Sequence, residues 1–234
     1  MSRVEQLLGR PVSIEVRDGV PADGAYDCLA ELDRRFNPGL ADSQVCRLER
    51  GELAELPVDL AEVLGICAYY ERLTGGAFSA RTPGGRLDPG PAALGWAVRR
   101  AADRLRAGGS ANFCLNAGGD VLAVGEPEPG RPWLVGIRHP ELADRVCAVL
   151  GVRDLAVATR VPVERGPDGG LLAVSVVAAD LVTAGVVAAA AYALGPDGVS
   201  WADSQPGCLV FAVDAEHVVH RSAALDELIV VEVS

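Results

Sequence analysis

The stretch Leu115-Asn-Ala-Gly-Gly-Asp120 decides the local fold, because two glycines stand between an asparagine and an aspartate. Gly118 and Gly119 carry no side chain that would block a ligand or a neighbouring strand, and Asn and Asp tolerate turn conformations. Apolar runs flank the stretch and predict short strands around Phe113 and Val121. Taken alone, the pattern is typical of a tight β-hairpin, and a turn that binds a polar ligand is the alternative.

The rest of the chain reads as short strands joined by short turns, with helices grouped between them. This order predicts an α+β fold with a largely antiparallel sheet and packed helices. With 234 residues, 50% of them hydrophobic, we expect a single domain over residues 1–234, or two tightly joined lobes. The predicted strands are Pro11–Arg17, those around Phe113, Val121, Leu134 and Val146, Leu155–Ala158, Leu171–Val177, Cys208–Val213, His217–His220 and Leu228–Val233, and the predicted helices are Ala25–Phe36, Asp59–Leu73, Pro91–Arg106 and Leu181–Leu194.

Charge and hydropathy exclude several classes of partner. A formal net charge of −11 disfavours nucleic acid, and the predicted helix Leu181–Leu194 is too short to span a membrane. The N-terminal segment has no long apolar run, so we expect a cytoplasmic location. The chain contains no lysine, which excludes Schiff-base mechanisms. A basic cluster indicates a solvated helix face, from which one guanidinium could reach a diphosphate: Arg99, Arg100, Arg104 and Arg106.

The cysteines and histidines do not form a metal-binding pattern. The six cysteines lack paired spacing and are expected to be reduced, mostly buried residues: Cys28, Cys46, Cys67, Cys114, Cys147 and Cys208. His139 precedes a proline and is expected in a surface turn. His217 and His220 are expected on opposite faces of one strand, where they would be poor joint ligands.

Several motifs, in order along roughly residues 7 to 220, resemble the ApbE family, the FAD:protein FMN transferases. Five of them, which carry the resemblance by their order rather than singly, are Thr74-Gly-Gly-Ala-Phe78, Leu94-Gly-Trp-Ala97, Asn116-Ala-Gly-Gly-Asp120, Val135-Gly-Ile-Arg-His-Pro140 and Ala193-Leu-Gly-Pro196. The resemblance implies an ApbE-like fold, similar to a T-fold. It also implies that FAD is bound with magnesium on its diphosphate, and that FMN is transferred to a Ser or Thr hydroxyl of a target protein with release of AMP.

The resemblance also implies a cleft of the size of a flavin or nucleotide. Its expected lining residues are Ala77, Phe78, Ser79, Gly95, Trp96, Ala97, Asn116, Gly118, Gly119 and Asp120. Trp96 has an alternative role as a core residue of an amphipathic helix. A nucleotide would be held there by backbone donors, by the N-terminal end of the helix that contains Gly95, and by Arg99 or Arg100.

The metal motif of the family, Ala-Asp-x-x-x-Thr ahead of a Leu-Gly helix end, has no complete match in this chain. Counting back from Leu194-Gly195 places Gly185 at the carboxylate position and Ala189 at the hydroxyl position. A rival alignment uses Asp180 and Thr183, but these are three residues apart where the family has four. Asp180 is instead expected to cap the helix that follows.

Other departures affect charge near the expected flavin. Ser79-Ala-Arg81 stands where the family has Asp-Pro-Thr, and Leu94 stands where it has lysine. The segment Thr159–Gly170 lacks the histidine and the Asp-Pro of the family's loop. We therefore expect a divergent relative that keeps the cleft for a flavin or another small molecule but has lost magnesium-dependent transfer. The alternative is an active FAD:protein FMN transferase that modifies a target protein through an atypical metal site, with Asp120 or Asp180 and main-chain oxygens recruiting magnesium.

Overall fold

The fold consists of two antiparallel sheets and a layer of helices. The computed structural model describes residues 3–7, 9–142, 144–161 and 170–232. Its strands are β1 Val4–Leu7, β2 Arg10–Val16, β3 Phe113–Ala117, β4 Asp120–Val124, β5 Trp133–Arg138, β6 Val146–Val152, β7 Leu155–Arg160, β8 Leu171–Ala178, β9 Leu209–Asp214, β10 Val219–Arg221 and β11 Ile229–Glu232. Its helices are α1 Asp23–Phe36, α2 Gln44–Glu49, α3 Val58–Leu73, α4 Gly90–Ala107, α5 Leu181–Leu194 and α6 Pro196–Asp203, with a 3₁₀ helix at Ala223–Glu227.

The large sheet separates two hydrophobic cores. Within the described residues it has eight strands in the order β1-β2-β3-β4-β7-β8-β9-β10, and the small sheet has the order β11-β6-β5. Strand β4 contributes to both cores, since Leu122 and Val124 pack on the helix side while Val121 and Ala123 pack against the small sheet. Because successive side chains of a strand alternate between faces, every residue of β4 is buried.

The helix side is held together by a close contact between α4 and α5. Gly95 of α4 lies against the backbone of α5, and a Cβ atom at this position would be 2.5 Å from the Val182 nitrogen. Helix α5 is apolar on nearly all sides because it lies between α4 and the large sheet, where Ala184, Val186 and Ala188 are fully buried. No helix in the described part of the chain is long and apolar enough to cross a membrane.

The Asn116–Asp120 stretch forms a tight hairpin, as its sequence predicts. Gly118 and Gly119 adopt φ angles of 66° and 99°, which side chains disfavour. The Asn116 side-chain oxygen accepts a hydrogen bond of 2.9 Å from the Gly119 nitrogen and closes the turn. The prediction of an α+β fold with a largely antiparallel sheet is therefore confirmed, since every pair of named strands is antiparallel.

The predicted strand His217–His220 is wrong at its start. His217 lies in a turn with a φ angle of 63°, and β10 begins at Val219. The two histidines contact different carboxylates, His217 that of Glu141 and His220 that of Asp214, at 2.9 and 2.7 Å. The structure also contains β1, α2 and α6, which the sequence patterns do not predict. The end of the predicted strand Leu228–Val233 lies outside the described residues.

Candidate functional site

The expected lining residues fall on opposite sides of the large sheet. On the helix side, a cavity of about 370 Å³ is lined by Gly76, Ala77, Phe78, Ser79, Arg81, Pro83, Pro91 and Ala189. On the other side, a groove of about 400 Å³ between β5 and the open face of β2 and β3 is lined by Ser13, Glu15, Cys114, Asn116, Gly118, Gly119, Val121, Trp133, Leu134, Val135, Gly136, Arg138, Thr159 and Val161. We call these the helix-side cavity and the sheet groove.

The register of the hairpin explains why Asn116 and Asp120 do not share a wall. Ala117 pairs with Asp120, and Asn116 pairs with Val121. Directly paired residues point to the same face of a sheet, whereas neighbours along a strand point to opposite faces. Asn116 is therefore exposed at the sheet groove, and Asp120 is buried on the helix side.

The expected lining residues of α4 lie in the core. Gly95, Trp96 and Ala97 are all buried, and none of them lines the helix-side cavity or the sheet groove. The Trp96 ring packs edge-on against Phe36, with 5.5 Å between the ring centroids. Its indole nitrogen is buried and has no hydrogen-bond partner among the described residues. These placements favour the core role of Trp96 and give Gly95 a packing role.

A partly buried ion pair connects the hairpin to the helix side. Nη1 of Arg160 donates to both carboxylate oxygens of Asp120, at 2.9 and 3.0 Å. The Thr159 nitrogen donates to the same carboxylate at 3.1 Å, and Arg10 lies 3.4 Å from it. Asp120 is 2% exposed, so this carboxylate is removed from water and needs these partners.

The Arg160 guanidinium contacts the middle of α5 as well as Asp120. Its Nη2 atom lies 3.3 Å from the carbonyl oxygen of Gly185. A Cβ atom at position 185 would also lie 3.3 Å from Nη2, and 3.5 Å from the Pro91 oxygen. Ala189, one turn further along α5, lines the helix-side cavity. The absence of a side chain at Gly185 therefore leaves space for a cation that the chain itself supplies.

The residues at this place do not fit magnesium. Mg²⁺ takes oxygen ligands, preferably carboxylates, in an octahedral arrangement. Gly185 and Ala189 offer no side-chain oxygen, and the Asp120 carboxylate is already paired with Arg160. A divalent cation beside this guanidinium would also be repelled. Within the residues that the structure describes, no group of three or more His, Cys, Asp or Glu side chains could hold a metal ion.

Asp180 is a helix cap, as the sequence predicts. One carboxylate oxygen accepts from the Thr183 nitrogen at 3.0 Å, and the other accepts from the Thr183 hydroxyl at 2.7 Å. The Tyr70 hydroxyl donates to Thr183 Oγ1 at 3.1 Å. Both carboxylate oxygens of Asp180 are thus engaged inside the chain, as expected for an N-cap.

The N-terminal end of α4 does not present free donors, contrary to the expectation that it holds a phosphate. The Gly90 nitrogen donates to the Asp88 side chain at 3.0 Å. The Ala92 and Ala93 nitrogens donate to the Pro89 carbonyl oxygen at 3.1 and 3.2 Å. Residue 91 is a proline and has no N–H group, so the first turn is satisfied within the chain.

The other polar candidates have structural partners. Arg99 and Arg100 both contact Glu62 across the α3–α4 interface, at 2.8 and 3.4 Å, which favours the solvated helix face. His139 lies in a surface turn, where its Nδ1 accepts from the nitrogens of Glu141 and Leu142.

All six cysteines are free thiols. Burial raises the pKa of the Cys67 and Cys114 thiols to about 12, so neither is an activated nucleophile.

Arg160 is the residue that analysis of the sequence misses. The sequence signal that could have identified Arg160 is the alternation of β7. Ala156, Ala158 and Arg160 share one face of this strand, and the two alanines on it are small and buried. An arginine at the end of such a face requires a carboxylate partner or a ligand. The loop expected to lack the family's histidine continues from this residue, and its part Pro162–Gly169 lies outside the described residues.

Comparisons with known proteins agree with the motifs. The model of the ApbE family matches residues 79–166. The flavin transferase ApbE from Vibrio cholerae is 17% identical with a TM-score of 0.82, covering 97% of this chain and 98% of that one. The apo flavinyl transferase ApbE from Pseudomonas stutzeri is 20% identical with a TM-score of 0.79, covering 98% and 97%.

A third solved structure shares the same fold. The ApbE protein from Thermotoga maritima is 20% identical with a TM-score of 0.83, covering 97% of this chain and 98% of that one. No curated protein matches the chain in sequence. The resemblance to the ApbE family and the ApbE-like fold are thereby confirmed.

Proposed function

We propose that this chain binds a flavin or a related nucleotide and has lost magnesium-dependent FMN transfer. The premise is that the chain carries an ApbE-family segment on the ApbE fold. The observation that carries the proposal is the contact between Arg160 and Gly185 at the family's carboxylate position. Cleavage of a diphosphate needs a cation that neutralises the developing charge and orients the leaving group. A glycine and an alanine at the two ligand positions hold no such metal.

The helix-side cavity supports the binding half of the proposal. Its volume of about 370 Å³ lies within the range of small-molecule sites. Ala77, Phe78 and Ser79, which the resemblance assigns to the cofactor, line it together with Pro91. Small residues on one wall and an aromatic residue beside them suit a flat ring system with polar edges.

The test combines ligand binding with a transfer assay. Purified protein is titrated with FAD, FMN and AMP, and binding is followed by calorimetry and by the rise in melting temperature. In parallel, the protein is incubated with FAD, magnesium and a threonine-containing acceptor peptide, and the peptide is analysed by mass spectrometry. A transfer-competent flavin transferase ApbE serves as the positive control.

We expect stabilisation by at least one flavin and no FMN-modified peptide. Magnesium-dependent modification of the peptide would contradict the loss of transfer and would favour the alternative, an FAD:protein FMN transferase with an atypical metal site and a target protein. If neither flavin nor AMP stabilises the fold at millimolar concentration, the cavity serves another small molecule. A cytoplasmic location remains a prediction, which cell fractionation tests.

A further inference from the structure

We propose that two copies of this chain associate through the outward side of α3, with the two α3 helices antiparallel. This side carries Val58, Ala61, Gly65, Tyr69 and Leu73, which follow one another at three or four residues and therefore share one helix face. All five residues are exposed, and the side chains of Val58 and Tyr69 are 82% and 55% exposed. We call this set the α3 stripe.

Helix α3 is apolar on both of its sides. Leu60, Val63 and Cys67 bury its inner side in the core, whereas a surface helix is normally polar on the side that faces water. The α3 stripe is open to solvent in the described part of the chain, since a Cβ atom at Gly65 would have no atom within 4 Å. A contiguous exposed apolar surface of this kind is typical of a site that contacts a partner.

The α3 stripe is self-complementary, which favours a second copy as the partner. Gly65 lies near the middle of the 16-residue helix. If a two-fold axis passes near Gly65, Val58 faces Leu73 of the second copy and Ala61 faces Tyr69 of the second copy, so small residues meet large ones. Small residues at the crossing point also allow the two helices to approach closely. A parallel pair would instead place Tyr69 against Tyr69 and leave a gap between the alanines.

Two unpaired charges favour the same antiparallel arrangement. Residues 9–142 are all described, and within the described chain neither Glu55, just before α3, nor Arg72, in its last turn, forms an ion pair. Antiparallel packing brings Arg72 of one copy to the N-terminal end of α3 in the other, where Glu55 lies. Parallel packing would place two Arg72 side chains together, and these would repel each other.

The net charge of −11 on each chain opposes self-association in general, but the acidic groups beside the α3 stripe are neutralised. Asp59 pairs with Arg35 at 2.7 Å, and Glu62 pairs with Arg99 and Arg100 at 2.8 and 3.4 Å. A second negatively charged chain can therefore approach this face more easily than an acidic one.

The outer face of the small sheet is the competing apolar surface. Leu134 and Val230 are 65% and 55% exposed there. The apolar side chains of this face are interrupted by glycines, because Leu134 pairs directly with Gly151, and Gly136 pairs with Val149. It therefore offers less continuous apolar contact than the α3 stripe, and a substitution at Leu134 tests it.

Sedimentation equilibrium of the full chain measures the association, because a dimer has twice the 24.3 kDa mass of one chain. Ala61→Arg places a long charged side chain within the α3 stripe. Its matched control is Ala107→Arg, which adds the same side chain at an exposed alanine in the last turn of α4. Leu134→Asp tests the small sheet. Arg72→Glu, alone and together with Glu55→Arg, tests the antiparallel arrangement.

We expect the wild type to dimerise with a dissociation constant on the order of 10 μM, because one helix from each chain forms a small interface. Ala61→Arg and Arg72→Glu should each weaken the dimer about tenfold or more, and Glu55→Arg should reverse the effect of Arg72→Glu. Ala107→Arg and Leu134→Asp should leave the dimer unchanged.

Three results would overturn the inference. The first is a wild-type chain that remains monomeric well above this concentration. The second is a dimer that Ala61→Arg leaves intact, or that Leu134→Asp alone dissociates. The third is a failure of Glu55→Arg to restore association in Arg72→Glu, which would exclude the antiparallel pairing of the two helices. None of these results depends on whether the chain binds a flavin.

Discussion

Nη2 of Arg160 lies 3.3 Å from the carbonyl oxygen of Gly185, so a guanidinium stands beside the helix position at which the resemblance places a metal-binding carboxylate. The same contact changes what restoring the family's residues should do. An aspartate at position 185 would meet Arg160 first, because the new Cβ would already lie 3.3 Å from Nη2.

We therefore predict that Gly185→Asp with Ala189→Thr gains no magnesium affinity, because the new carboxylate pairs with Arg160. Adding Arg160→Gln to these changes should create measurable magnesium binding, since the carboxylate and the hydroxyl then lie one turn apart on α5 without a competing cation. Calorimetric titration of magnesium in the presence of AMP measures both variants. Equal magnesium affinity in the two would show that Arg160 does not compete with the metal.

Asp180→Ala should destabilise the protein without changing its response to magnesium. Its carboxylate caps α5 through the Thr183 nitrogen and hydroxyl, and loss of such a cap costs about 1 kcal/mol of the free energy of unfolding. Urea denaturation with and without magnesium measures the effect, and Asp180→Ser, which keeps a capping oxygen, is the matched control. Magnesium that stabilises the wild type but not Asp180→Ala would instead make Asp180 a metal ligand.

Gly95→Ala should lower the free energy of unfolding by about 1–3 kcal/mol, because its Cβ would come within 2.6 Å of Val182 Cα. Gly65→Ala is the matched control, since this exposed glycine of α3 has nothing within 4 Å of its Cβ position. That substitution should stabilise the protein by about 0.5–1 kcal/mol through better helix propensity. Equal effects in chemical denaturation would mean that α4 and α5 do not pack as closely as described.

The free energy of unfolding should depend on pH through Asp18. This carboxylate accepts hydrogen bonds from Asn112, Ala111 and Ser110, which lower its pKa from 3.8 to about 2. A lowered pKa in the folded state means stabilisation that is complete above about pH 4 and lost as the pH falls through about 2. Asp18→Asn should therefore be less stable than the wild type near neutral pH, and the difference should shrink in this acidic window. A difference that does not change with pH would argue against the contribution of the charged form.

The amphipathic and apolar elements could be predicted because their apolar residues follow a clear pattern. Helices α1, α3, α4 and α5 carry periodic or continuous apolar runs, and strands β3, β4, β7, β8 and β9 of the large sheet are short apolar runs between turn residues. Helix α2 has only six residues and β1 only four, so neither is long enough to show a period. Helix α6 is missed because Gly195-Pro196 reads as a stop, whereas Pro196 in fact lies in the first turn of a new helix.

The site could be predicted only in part, because sequence neighbours on a hairpin need not share a face. Asn116 and Asp120 belong to one motif, but a two-residue turn pairs Asp120 with Ala117 and so sends Asn116 to the other side. That separation follows from the turn length alone once the hairpin is accepted. The contact of Arg160 with Gly185 could not be predicted, because it depends on how α5 crosses the sheet.

The close approach of Arg160 to Asp120 and Gly185 determines where the positive charge at this place comes from. A metal site must be loaded, and its occupancy follows the free ion concentration and can be reversed by a chelator or by a competing ion. A guanidinium is synthesised with the chain and stays charged at every physiological pH. The positive charge between Asp120 and Gly185 is therefore present in each folded molecule from the start, in a fixed stoichiometry of one, and no change in the cell's magnesium can remove it.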